Sequence, residues 1–199
     1  MLDQGDRATP PASGPPGRLS NPVDGPPEAI RALSREQLLG LLEIYAKNWL
    51  AHDGLWFLAV ETRFGMDAAI ELDTRAWNRF SVIEARRLMA LLGLPERGGL
   101  KALERALQFR LYATVNRQEA IWIDESTLRF RMTTCRVQAA RRRQGMADLP
   151  CKPVGLVEYS RFAETIDLRI QTLCLGCPPD NVGEAYCQWE FTLPEEADE

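Results

Sequence analysis

The chain has 199 residues and a net charge of −4, with 45 % apolar and 26 % charged residues. That is long enough for one globular domain with a true core, and the absence of a basic excess argues against a nucleic-acid binder. No run of about 18 apolar residues exists to cross a membrane.

Residues 1–27 hold seven of the thirteen prolines and lack the apolar stretch of a signal peptide. Such a segment buries too little surface to offset its ordering entropy, so it reads as a disordered tail. The acidic end, 194–199, reads as a second, frayed tail. Between them one α+β domain is expected over 28–193. A chain of this kind belongs in the cytosol, where thiols stay reduced. Its five cysteines then point to metal or redox chemistry before structural disulfides.

Helices come first. Ser34 and Gln37 have the spacing of a capping box. Behind them Leu38, Leu41, Leu42, Tyr45, Trp49, His52, Trp56 and Val60 recur at three- and four-residue steps, which is one helical face. Gly65 closes that helix. A second helical stretch runs over 67–92. Ser81 and Glu84 repeat the capping-box spacing inside it, so two helices meeting near Phe80 are expected. A short helix follows over 100–109. The period then changes to two. Residues 120–123 and 127–133 read as strands joined by a turn at Asp124-Glu125-Ser126, with Leu128, Phe130 and Met132 on one face. Helices are expected over 136–144 and 153–166, and strands over 169–174 and 185–193. The Arg141-Arg142-Arg143 run falls on a helix and reads as a solvated face. Helices followed by about four antiparallel strands make an α+β fold.

The richest chemistry lies in residues 151–187. Cys174-Leu175-Gly176-Cys177-Pro178 is a C-x-x-C knuckle, whose tight turn can aim two sulfurs at one metal ion. Cys187 lies on the strand expected to pair with the one ending at Cys174, and Cys151 precedes a helix that can approach from the side. Four thiolates, Cys151, Cys174, Cys177 and Cys187, would suit zinc or an iron–sulfur cluster equally. Two other readings stay open: reactive or redox thiols, and small buried apolar residues. Cys135 reads as core.

The stretches 151–159, Cys174-x-x-Cys177-Pro-Pro-Asp180, Tyr186-Cys187-x-Trp189-x-Phe191, Asp53–Glu61 and Glu84–Arg87 resemble a family of uncharacterised cytosolic proteins from anaerobic bacteria and archaea. More distantly the chain is similar to L-2-aminothiazoline-4-carboxylate hydrolases, and its ending resembles the zinc-linked four-vinyl-reductase domain. The resemblance implies a ligand- or metal-binding α+β domain without implying an activity.

A second constellation is Trp49-x-x-His52-Asp53-x-x-Trp56-Phe57. His52 is the sole histidine, so any thiol–histidine dyad must use it. Asp53 sits on the flank of an apolar face, where a carboxylate is costly unless paired, or it is a hydrated helix-edge residue beside His52. No phosphate-binding glycine loop is present. Two functions follow as expectations. The first is a cytosolic protein binding a metal ion or cluster, and a small molecule, through the cysteines. The second is a hydrolase of carbon–nitrogen bonds other than peptide bonds, in which a cysteine or metal-bound water opens a C=N-containing ring and Asp53 or His52 moves protons.

Overall fold

The computed structural model describes residues 25–180 and 183–194. Most of the tail expected over 1–27, and residues 195–199 of the acidic end, lie outside the described residues. The chain divides into two units, with the boundary between Leu39 and Gly40.

In the first unit a short helix, α1 (Glu28–Arg31), precedes the start of α2 (Arg35–Phe64). The Ser34–Gln37 capping box is formed in both directions. The Gln37 N–H donates to Ser34 Oγ over 3.2 Å and the Ser34 N–H donates to Gln37 Oε1 over 2.9 Å.

The second unit holds the rest of α2, then α3 (Met66–Leu92), α4 (Gly99–Leu107), β1 (Arg117–Asp124), β2 (Thr127–Thr134), α5 (Arg136–Arg143), α6 (Lys152–Ile166), β3 (Gln171–Gly176) and β4 (Cys187–Thr192). The strands form one antiparallel sheet in the order β1-β2-β4-β3. This is the α+β architecture the periodicities predict. The β1–β2 turn is also as expected, with Asp124 Oδ1 accepting from the Ser126 N–H.

One expectation is corrected. Residues 66–92 form a single unbroken helix, not two meeting near Phe80. Ser81 is fully buried, and the Glu84 carboxylate accepts bonds from the Arg110 side chain and the Leu111 N–H instead of capping a helix start.

Strand alternation gives the sheet two unlike faces. Leu128, Phe130, Met132, Trp189 and Phe191 are at most 3 % exposed and form the core face. The other face carries charged cross-strand pairs, Arg129–Glu190 at 2.7 Å and Arg131–Glu119 at 2.6 Å. Helix α6 packs against both the sheet and α3. Its inward residues Val154, Gly155, Glu158, Tyr159, Phe162, Ala163 and Ile166 are all buried. Helix α4 is anchored at its start, where the buried Asp167 carboxylate accepts from the Gly99 N–H at 3.0 Å.

Candidate functional site

The first turn of α6 and the loop after β3 are clasped together. The Lys152 N–H donates to the Pro178 carbonyl at 3.0 Å, and the Lys152 ammonium meets the Asp180 carboxylate at 2.7 Å. Asp180 in turn faces the Cys177 N–H, and its own N–H returns to the Cys177 carbonyl at 2.9 Å. This clasp sets Cys177 beneath Cys151, which stands at the N-terminal end of α6. Their sulfurs are 3.6 Å apart, in contact and unbonded.

Cys187, on the strand facing β3, lies within electrostatic reach of Cys177. Cys174 is paired across the sheet with Trp189 and so shares the core face with Cys187, one diagonal away. Cys174 also lies within electrostatic reach of Cys187, Lys152 and Asp180. Cys135, read from the sequence as core, stands within electrostatic reach of Cys151 and Cys187. The thiols therefore gather at one end of the sheet, with the Cys151 and Cys177 sulfurs in contact and the others within electrostatic reach. Among the described residues no group of three or more His, Cys, Asp or Glu side chains stands in a metal-holding arrangement as it is.

Charge is unevenly available in this cluster. The Cys177 thiol donating to Cys151 holds the Cys151 thiol below its ordinary range against the cost of burial, with the Gln138 amide 3.6 Å away helping. Cys177 moves up for the same reason, since its proton is held between Cys151 and Cys187. Burial pushes Cys135 up to about 12 and raises Cys174 as well. The ionised form is thus favoured at Cys151 over its neighbours.

Two residues that spacing alone does not flag shape the floor. Gln138 is buried and ties α5 to the segment before Cys151, donating to the Leu149 carbonyl at 2.8 Å and accepting from the Leu149 N–H at 2.9 Å. Gly155 lies one turn beyond Cys151. A Cβ there would come within 2.7 Å of Trp189 Cζ2 and 3.7 Å of Cys177 Sγ, so only glycine lets the indole lie beside the sulfurs. Trp189 is fully buried and stacks on Tyr159 at 4.6 Å, and its Nε1 has no hydrogen-bond partner among the described residues.

Further along the inward face of α6, two turns from Cys151, Glu158 joins a buried polar network. Arg110 bridges Glu158 at 2.7 Å and Glu84 at 2.8 Å, while Tyr112 donates to Glu158. The guanidinium carbon lies 4.6 Å from the Phe162 ring centre and 4.8 Å from that of Tyr112. Asp53 and Asp73 border this network. Burial raises the Asp53 carboxyl, with the Glu158 charge adding to it and His52 opposing. Burial together with the Asp53 and Glu158 charges raises Asp73 to about 7. The structure places Asp53 half-buried towards these acids, whereas His52 beside it is exposed. Asp73 and Glu158 had one legible signal, their placement on the core-facing stripe of a helix.

Fold and site together describe an α+β protein with a thiol cluster at one end of its sheet and a set of buried acids beside it. The chain belongs to DUF6125, a family of unknown function, whose family model matches residues 31–193. No curated protein and no solved structure matches it. Among the described residues no helix is long and apolar enough to cross a membrane.

Proposed function

We propose that the protein binds a thiophilic metal centre, zinc or an iron–sulfur cluster, through Cys151, Cys177 and Cys187, and holds a small molecule against it. The carrying observation is the 3.6 Å contact between Cys151 and Cys177. Two thiolates on one tetrahedral zinc at about 2.3 Å lie about 3.8 Å apart, so this pair needs almost no movement to share an ion. Cys187, within electrostatic reach of Cys177, would be the third sulfur of the set. The Trp189 Nε1, without a partner among the described residues, would supply a buried donor. Three protein ligands leave a further position for Cys174, which shares the sheet face, or for a small molecule.

The test is anaerobic titration of the reduced full chain with cobalt(II), read by sulfur-to-metal charge-transfer absorption, and with zinc by competition. One ion per chain is expected. Serine at position 151, 177 or 187 should each abolish the band, and serine at 135 should leave it. A wild-type chain that takes up neither ion, and carries no iron or sulfide when purified without air, overturns the reading.

The hydrolase reading is favoured by a separate observation, the raised carboxyls of Asp53 and Asp73 around Glu158. Burial favours the protonated form of both carboxyls, and a carboxyl whose protonated form is favoured suits proton donation to a departing nitrogen. In that reading Cys151 is the nucleophile and Asp53 the proton carrier. Turnover of 2-aminothiazoline-4-carboxylate by the wild type and its loss in Asp53→Asn are expected; no turnover by the wild type would end it.

A further inference from the structure

We infer that Cys151 and Cys177 are a peroxide-sensitive pair that closes to a disulfide. The inference shares two cysteines with the proposed metal site, but it rests on the sulfur contact and on exposure, and holds whether or not a metal binds.

Both residues are free thiols whose sulfurs are already 3.6 Å apart. Their surroundings differ in the way a two-step oxidation requires. Cys177 is 2 % exposed and shielded, whereas Cys151 is only partly buried. Cys151 keeps some solvent exposure, so a small hydroperoxide can approach it, whereas Cys177 is enclosed.

The chemistry balances with a hydroperoxide as the oxidant. Cys151 sulfur attacks the terminal peroxide oxygen, the O–O bond breaks, and an alcohol (water, from hydrogen peroxide) departs with the thiol proton. Cys151 is left as a sulfenic acid. Cys177 sulfur, directly behind it, attacks the oxidised sulfur. An S–S bond forms, and the hydroxyl leaves with the Cys177 proton as water. Overall two thiols lose two hydrogens, and one peroxide is reduced to alcohol and water. Cys187 stays a free thiol in both states. Because a disulfide withdraws two of three sulfurs, oxidation and metal binding at this site exclude each other.

The experiment uses the full chain, reduced, metal-free and folded, treated with one equivalent of hydrogen peroxide. Free thiols are then alkylated and the protein is digested without reductant for mass spectrometry. A peptide joining Cys151 to Cys177 is expected, with Cys135, Cys174 and Cys187 alkylated. Cys177→Ser should stop the reaction at a Cys151 sulfenic acid that dimedone traps, and Cys151→Ser should leave every remaining thiol alkylated. A linkage between other cysteines, dimedone on another residue, or five free thiols in the wild type overturns the inference. Zinc titration of the same reduced sample separates the two ideas. A disulfide in a chain that takes up neither cobalt nor zinc and carries no iron or sulfide sinks the metal reading alone, and metal binding without a disulfide sinks this inference alone.

Discussion

Helices α2 and α6 are both expected from the sequence and behave oppositely in the fold. Helix α6 has 15 residues and buries seven of them between α3 and the sheet. Helix α2 has 30 residues and buries one, Ala46. Its attachments within the larger unit are local: Trp49 packs on Trp77 and Phe80 with ring centres 5.8 and 5.9 Å apart, and Glu61 binds Arg141 at 2.7 Å. Meanwhile Leu55 and Trp56 remain 68 % and 64 % exposed. An apolar periodicity creates a face; only a neighbouring element turns that face into core. Stability should therefore be concentrated around α6, where the thiols and buried acids also sit.

The sharpest test of that contrast is Arg110→Met. It leaves Glu84 and Glu158 buried without their cation, which costs about 3–5 kcal/mol for a broken buried pair. Urea unfolding should show this as a lower midpoint at unchanged slope. A loss below about 1 kcal/mol would mean that the acids simply take up protons, and that the network beneath α6 is not what holds it.

Gly155→Ala comes next. The added Cβ would press on Trp189, which cannot retreat because it is enclosed and stacked on Tyr159. Overpacking of this kind costs about 1–3 kcal/mol, and near-ultraviolet circular dichroism should report the displaced indole. An unchanged spectrum with unchanged stability would show room beside the sulfurs that the structure does not have.

Asp73 adds a pH signature. Its folded carboxyl is raised to about 7 from an ordinary 3.8, chiefly by burial. The folded state therefore holds a proton that the unfolded chain releases. The associated stabilisation is complete below about pH 4 and is lost as pH rises through about 7. Asp73→Asn should flatten the decline between those limits and leave the variant more stable than the wild type at pH 8. A parallel pair of stability–pH curves would show that Asp73 is hydrated and titrates normally.

Glu61→Gln tests the attachment of α2 from the other side. The bidentate pair with Arg141 is mostly covered, with side chains 9 % and 19 % exposed. Its loss should cost about 1 kcal/mol, between surface and buried pairs, and should raise amide exchange in the second half of α2 more than in α6. Equal effects on both helices would dissolve the distinction.

Local chemistry was legible in the sequence where both partners are near each other. The Ser34–Gln37 box, the Asp124–Ser126 turn and the alternation of β2 were all readable because they need only a few residues. Ser81 and Glu84 show the limit. Their spacing is also that of a capping box, but Glu84 is claimed by Arg110, a partner 26 residues on. Gly155 was invisible as a requirement because Trp189, which imposes it, lies on another element. Strand β1 begins at Arg117, earlier than the apolar run, because Glu119 pairs with Arg131 on the outer sheet face. The cysteines stood out by residue type, whereas the acids beside them did not. Asp73, Glu84 and Glu158 look like ordinary helix charges until the fold takes them out of water.

The smallest expected effect is at the exposed face of α2. Leu55→Gln removes an apolar side chain that already meets water, so little hydrophobic free energy is lost. Leucine and glutamine differ little in helix propensity, so the helix itself should not weaken. The folded chain should keep its stability within about 0.5 kcal/mol, as surface substitutions do. Glu158 on α6 gives the paired control, since truncating it to Ala strands Arg110 with one carboxylate and should cost several times more. Both variants are read by the same urea titration at dilute protein. A loss of about 2 kcal/mol or more from Leu55→Gln would mean that this side chain leaves water when the protein folds in solution. The contrast between an uncovered α2 and an enclosed α6 would then fail at its most exposed point.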